Sequence, residues 1–327
     1  MIISKTPLRM SFVGGGSDLP SFYERSEGAV ITSTIDKYIY VTVNKKFDGD
    51  IRLSYSKTEN VRRPERIKHP IVREVLRKLN IPGGVEITSI ADIPSKGTGL
   101  GSSSAFTVGL LNALQAYNRQ FSSPRSLAKQ ACEIEMDILK EPIGRQDQHS
   151  VAYGGFNKML FHEDHRVSVH PVVCLPNTKR DLEKNILLLY TGISRKASGV
   201  LSEQSANLDK NKKLFTLMKK MVALAHDFHT ELQKNALGGI GDILHTGWMY
   251  KKEMATGITS PDIDRWYTVG RQNGALGGKV LGAGGGGFLM FYAPLERHEA
   301  IVKALPKLRP VPVCFEPEGS KIIFIHE

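Results

Sequence analysis

Cysteine is scarce: Cys132, Cys174 and Cys314 are the only three in 327 residues, and they lie far apart. Without a C-x-x-C pair there is no framework for a zinc ribbon, a redox motif or a disulfide scaffold, so a reducing cytoplasm is the expected compartment. Long apolar runs are missing too. No stretch reaches the length of a membrane span, and the opening "MIISKTPLRMSF" lacks the apolar segment and small-residue cleavage site of a secretory leader, so no membrane partner is expected. There is no internal repeat and no low-complexity linker.

Acids are outnumbered. With 33 Asp and Glu against 44 Lys and Arg, the formal charge is +11, which suits nucleic acid, an anionic membrane or small phosphorylated molecules. The basic residues are dispersed apart from short clusters such as "VRRPERIKHP" (61–70), and no nucleic-acid-binding signature accompanies them. A solvated basic surface is therefore the better reading, and no nucleic-acid partner is expected. The length and the 41% apolar content allow a large core and two domains.

Periodicity then places the elements. "VITSTIDKYIYVTVNKK" (30–46) puts Ile39, Val41 and Val43 on one side and Tyr38, Tyr40 and Thr42 on the other, a strand pattern, and a second strand is predicted over 84–94. From Ser103 the step becomes helical through Phe106, Leu110, Ala113, Leu114 and Tyr117. A second helix, capped by Ser123 with Pro124 in its first turn, runs to about residue 139 with a stripe of Leu127, Ala131, Ile134 and Ile138. A hairpin follows over 154–172. Longer helices are predicted at 203–236, 241–255 and 260–273, then a strand, glycine loop and strand over 278–294, a short helix near 295–305, and strands at "VPVCFEP" and "KIIFIHE". The order implies an α+β protein with a boundary near 165–185, taken as domains 1–175 and 176–327.

Two glycine-rich loops bear on function. "GAGGGG" (282–287) formally matches G-x-G-x-x-G, but the β-prone "FLMFYAP" follows where a dinucleotide fold needs a helix. Its glycines exceed what a hairpin turn requires and point to close approach of backbone to a ligand. "SKGTGLGSSSA" (95–105) is no Walker A, because Lys96 precedes the glycines. Gly97, Gly99 and Gly101 permit positive φ, and the amides of Ser102, Ser103 and Ser104 open the helix, a geometry suited to phosphate. Phosphate chemistry also needs acids. At about 100° per residue, Glu135 falls about 70° from the centre of its helix's apolar stripe and Glu133 about 130° from it, so Glu135 sits at the edge of a cleft and Glu133 faces water. Asp147 lies in "PIGRQDQHSVAYGG", read as a polar loop that presents an acid. The "HEDH" at 162–165 has the wrong spacing for H-E-x-x-H and reads as a polar hairpin turn.

Three motifs in order, "KTPLRMSFVGGGSDLP", "PSKGTGLGSSSA" and "KVLGAGGGGFLMF", together span most of the chain and resemble those of the GHMP kinases, the superfamily of galactokinase, homoserine kinase and mevalonate kinase. Within it the sequence is most similar to bacterial sugar kinases that phosphorylate D-glycero-D-manno-heptose 7-phosphate at its anomeric carbon, through "GLGSSSAF", "EPIGRQDQ" and "TGISRKAS". The resemblance implies a two-domain fold, with a ribosomal-protein-like left-handed βαβ N-terminal domain and a ferredoxin-like C-terminal domain. It also implies ATP and Mg²⁺ as cofactors. Residues Lys96, Gly97, Gly99, Leu100, Gly101, Ser102, Ser103 and Ser104 are then expected at the nucleotide phosphates. Ser103 and Glu135 are expected at the metal, with Ser102 and Ser104 as alternatives to Ser103. Asp147 would be the catalytic base, with Arg9 beside it. The galactokinase-type Glu-His pair is absent from the first motif, where "GGGSD" supplies only Asp18, so galactose is disfavoured. Gly15, Gly16, Asp18, Arg145, Thr191, Gly192, Gly284 and Gly285 are the expected substrate contacts, with Arg195 and Lys196 as further basic candidates. The expected partner is a small phosphorylated sugar, and a homodimer is left open. A kinase of another metabolite (fucose, galactose or mevalonate) is the alternative within the class, and a basic nucleic-acid-binding protein the alternative outside it.

Overall fold

The computed structural model describes residues 1–94, 97–194 and 197–326, so Lys96, Arg195 and Lys196 lie outside the described residues. Two long strands, β1 (Ile2–Val13) and β2 (Gly28–Lys45), begin the chain, joined through the single-turn helix α1 (Pro20–Tyr23). The hairpin β3 (Ile51–Ser54) and β4 (Thr58–Val61) follows, then helix α2 (Pro70–Lys78), which returns the chain so that β5 (Val85–Ala91) pairs parallel to β3. Helices α3 (Ser102–Tyr117), α4 (Pro124–Cys132) and α5 (Gln146–Tyr153) precede the hairpin β6 (Phe156–Phe161) and β7 (Val167–Pro171). The later part runs α6 (Pro176–Lys184), β8 (Ile186–Tyr190), α7 (Ala197–Lys210), α8 (Lys212–Gln233), α9 (Ile240–Glu253), α10 (Pro261–Gln272), β9 (Gly277–Val280), β10 (Phe288–Tyr292), α11 (His298–Ala304), β11 (Arg309–Pro310) and β12 (Lys321–Ile325).

These strands form an eight-stranded sheet, ordered β12-β1-β2-β5-β3-β4 with β6 and β7 branching from β2, and a four-stranded antiparallel sheet ordered β11-β8-β10-β9. The branch exists because β2 changes neighbour along its length. Gly28–Ser33 pairs with β6 and Ile39–Lys45 with β5. The alternation of β2 is as the sequence predicts, with Ile39, Val41 and Val43 buried. Helix α3 departs from a one-faced pattern: Val108 and Leu111 are buried along with Leu110 and Leu114, because the sheet lies on one side and α4 and α5 on the other.

The two parts share a core. Phe12 of β1 packs against Phe228 of α8 at 5.4 Å between ring centroids and against Phe156 of β6 at 5.6 Å. Truncating such a ring to alanine costs roughly 3–5 kcal/mol, so the contact between the halves is structural. The C-terminal strand also crosses the expected 175/176 division, since β12 pairs with β1 in the first sheet.

Two predicted elements away from the site differ. The helix expected over 203–236 is broken at Asn211, whose Oδ1 accepts from the amides of Lys213 (2.9 Å) and Leu214 (3.2 Å) and starts α8 as a new helix. The strand expected at "VPVCFEP" is reduced to a bridge between Phe315 and Ile35, since Pro310, Pro312 and Pro317 supply no amide donors.

Candidate active site

The loop before α3 is pressed onto β1. Gly97, Gly99 and Gly101 all adopt positive φ (67°, 75° and 75°), which turns the chain directly into the first turn of α3. The Arg9 amide donates to Leu100 O at 3.0 Å, and the Arg9 guanidinium donates through Nη1 to Gly99 O at 2.7 Å. The rest of that guanidinium meets Asp147 in a two-point pair, Nε to Oδ1 at 2.8 Å and Nη2 to Oδ2 at 2.7 Å. Arg9 is almost fully buried, whereas the Asp147 side chain keeps 25% of its surface open. So the acid has a free edge while its partner is fixed. Asp147 was expected in a loop; it stands instead in the first turn of α5, where an acid is favoured by the helix dipole. The α5 sequence "QDQHSVAY" carries no apolar stripe that would have revealed the helix.

Glu135 is not at the edge of a regular helix. After Cys132 the chain widens into a π-helical stretch, Glu133–Ile138, which rotates the residue inward until it is 1% exposed. Glu133 remains at the surface and pairs with Lys78 at 2.8 Å. The Glu135 carboxylate accepts from Thr107 Oγ1 at 2.7 Å, Ser104 Oγ at 2.8 Å, Gln148 Nε2 at 2.6 Å and, more weakly, Ser103 Oγ at 3.4 Å. Burial raises its pKa, and the hydrogen bonds work against that rise. Of the three serines, Ser103 alone is exposed, while Ser102 and Ser104 are buried. Thr107 and Gln148 were missed in the sequence; Thr107 lies one helical turn beyond Ser103, a spacing that could have found it.

The Gly14–Gly16 loop shapes the opposite wall. Asp18 is buried, and its carboxylate accepts from Gly16 N (2.9 Å), Gln146 N (3.3 Å) and Gln146 Nε2 (3.2 Å). Desolvation raises its pKa. Asp18 ties this loop to the segment that delivers Asp147. Arg145 turns away from the acids: Nη1 donates to His165 O at 2.8 Å, and the guanidinium lies over the Tyr23 ring. The 162–165 segment is the tip of the β6–β7 hairpin, as predicted, and no metal-binding group of three or more His, Cys, Asp or Glu occurs among the described residues.

The 282–287 loop is packed closely against protein backbone. A Cβ on Gly282 would lie 2.6 Å from Gly99 Cα, one on Gly287 2.3 Å from Thr98 O, and one on Gly284 2.6 Å from Ile258 O. Gly285 N donates to Ile258 O at 2.8 Å, and Thr191 donates to Gly287 O through both its amide and its hydroxyl, each at 2.9 Å. These glycines let two distant loops touch backbone to backbone. Gly192 has open space around it.

Residues 66–155 match the GHMP kinases N terminal domain and residues 228–310 the GHMP kinases C terminal domain. A D-glycero-alpha-D-manno-heptose 7-phosphate kinase of Campylobacter jejuni is 30% identical over 94% of this chain and 93% of its own length. The chain belongs to the GHMP kinase family. Two solved structures agree over nearly full length. One is a D-glycero-D-manno-heptose 1-phosphate kinase from Bacteriodes thetaiotaomicron (TM-score 0.83, 26% identity, 100% of both chains). The other is a putative sugar kinase from Campylobacter jejuni (TM-score 0.78, 29% identity, 98% of this chain and 97% of that one). An α+β GHMP fold and a sugar kinase of this family are thus supported. No helix among the described residues is long and apolar enough to cross a membrane.

Proposed function

We propose that this protein transfers the γ-phosphoryl group of ATP to the anomeric hydroxyl of D-glycero-D-manno-heptose 7-phosphate, giving the 1,7-bisphosphate for nucleotide-activated heptose and surface polysaccharide synthesis. The reading places it in the cytoplasm, with the phosphorylated sugar as its partner. The observation that carries the kinase chemistry is the Arg9–Asp147 pair set against the left-handed glycine loop at the start of α3. Asp147 uses its open edge to accept the proton of the attacking hydroxyl. Arg9 orients that carboxylate and balances charge on the transferring phosphoryl group. The amides of the first turn of α3, with the backbone of 97–101, face the nucleotide phosphates.

The donor set next to this loop is all oxygen, with one carboxylate and adjacent hydroxyls, which fits Mg²⁺ completed by phosphate oxygens and water. Ser103 and Glu135 would hold it. Their contact is the longest of the four made to that carboxylate, and Ser103 is on the open side. The ion supplies charge neutralisation for the phosphates when bound.

The specific sugar rests on the heptose-phosphate relatives and on the missing Glu-His pair of galactokinase-type first motifs. A kinase assay over sugars and sugar phosphates tests it, with heptose 7-phosphate expected to give the highest kcat/KM. If mevalonate or an unphosphorylated hexose is turned over faster, the sugar assignment fails.

A further inference from the structure

Behind the Gly14–Gly16 loop lie two lysines that the catalytic scheme does not use. Lys251 of α9 and Lys279 of β9 are both buried. Lys251 donates to Gly15 O at 3.2 Å and to Gln204 Oε1 at 2.8 Å. Lys279 has one polar contact, a long 3.4 Å approach to Ser11 Oγ. Neither forms a salt bridge among the described residues. Gln204 of α7 is fully buried and its Nε2 has no hydrogen-bond partner among the described residues, although it presses on Gly16, where an added Cβ would lie 2.1 Å from it.

The surroundings are rich in donors and poor in acceptors. An ammonium out of water needs paired acceptors or an opposite charge. Asp18 is the acid that faces Lys279, and it is already occupied by Gly16 and Gln146. Ser11 stands two residues along β1 from Arg9, so Lys279 is presented beside the reacting pair. The cavity beside the lysines, lined by Lys251, Lys279, Phe12, Val13, Met221 and Leu224, is about 10 Å³, water-sized at most. That cavity is too small for an anion, and the Lys279 ammonium is directed toward Ser11 of β1.

We propose that Lys279, backed by Lys251 and Gln204, contacts an anionic group of the acceptor and makes the enzyme select a phosphorylated sugar over a neutral one. The proposal rests on the sugar-phosphate reading above. The charged groups that face Lys279 are Lys251 from α9, Arg9 from β1 and Asp18 from the segment after β1, with Asp147 held by Arg9. Burial, with Lys251 and Arg9 adding to it, pushes the Lys279 pKa down to about 7, and burial pushes that of Lys251 down to about 8. A lowered pKa means that an adjacent dianion draws a proton onto Lys279.

The test compares wild type with Lys279→Met and Lys279→Arg, using heptose 7-phosphate and unphosphorylated heptose as acceptors. Lys279→Met should raise the KM for the phosphorylated acceptor by about 10- to 100-fold, as expected for losing a charge-assisted contact. The KM for ATP and the KM for the neutral acceptor should stay within about two-fold, and Lys279→Arg should keep part of the preference. Calorimetry at pH 8 in two buffers of different ionisation heat should show proton uptake when heptose 7-phosphate binds wild type, and less with Lys279→Met. Equal losses for both acceptors, a matching rise in the KM for ATP, or undiminished uptake would overturn the proposal. A wild type that prefers neutral sugars sinks the sugar-phosphate reading before any variant is made. A preference that survives in Lys279→Met sinks only the lysine assignment.

Discussion

Replacing Asp147 by asparagine separates a working carboxylate from a helix-capping acid. Asn keeps the side-chain shape, but one of the two oxygens that receive Arg9 at 2.8 and 2.7 Å becomes an amide that can only donate. One hydrogen bond survives, and Arg9 keeps its 2.7 Å bond to Gly99 O while losing its charge partner. Because that guanidinium is nearly buried, the cost to stability is about 1–3 kcal/mol. In a chain of this size that lowers Tm by a few degrees. The kinetic cost is larger. Removal of a general base costs about 10²–10⁴-fold, or roughly 3–5 kcal/mol of barrier, and it falls on kcat because ATP is held elsewhere. Steady-state kinetics at saturating substrates, ATP titration and thermal unfolding on one preparation test this. A folded Asp147→Asn variant that retains more than about a tenth of wild-type kcat would falsify the assignment of Asp147 as the base.

Other expectations follow from neighbouring geometry. Glu135→Gln should raise the Mg²⁺ concentration needed for half-maximal activity well above that for Glu133→Gln, since Glu133 only pairs with Lys78 at the surface; superimposable magnesium curves would rule out Glu135 as the ligand. Gly101→Val should weaken ATP binding and depress kcat together, because its φ is +75° and its Cβ would meet Arg9 Cγ at 3.1 Å and Asp147 Oδ2 at 3.4 Å; unchanged nucleotide affinity in a folded variant would count against the loop's role. His149 is buried, and desolvation lowers its pKa to about 4. The unfolded chain therefore binds the extra proton between that value and about 6.5, and stability should fall by about 3 kcal/mol as pH drops through this window. Urea unfolding from pH 7 to 4 measures it, and an equal decline in His149→Gln would show that other groups are responsible.

Local patterns carried much of the architecture. The alternation of Ile39, Val41 and Val43 and the glycines before Ser102 locate β2 and the entry to α3, because each depends on neighbours a few residues away. Arg9, Asp147, Ser103 and Glu135 do converge on one region. What local pattern could not carry is whatever is set by distant packing. The π-helical stretch that turns Glu135 inward breaks the 100° step on which its expected position relied. The glycines at 282–287 were read as room for a ligand, and the room is taken by the backbone of Thr98–Gly99 and by Ile258. Lys251 and Gln204 reach the Gly14–Gly16 loop and Lys279 reaches Ser11, from three elements of the later sequence, and no spacing rule joins them.

The return of β12 to the first sheet sets an order on synthesis. Ile2 and Ile3 receive their outer neighbours from Ile325 and Phe324, and Thr34 O accepts a hydrogen bond from the Glu316 amide. On a ribosome, the first sheet would therefore emerge with β1 as a bare edge of exposed amides and carbonyls, and would keep it until β12 had been made. Everything between β7 and β12 must be made while that edge stands open, so the second part of the molecule is an insertion that delays the closing of the first. The first sheet becomes a finished surface only once β12 has been made.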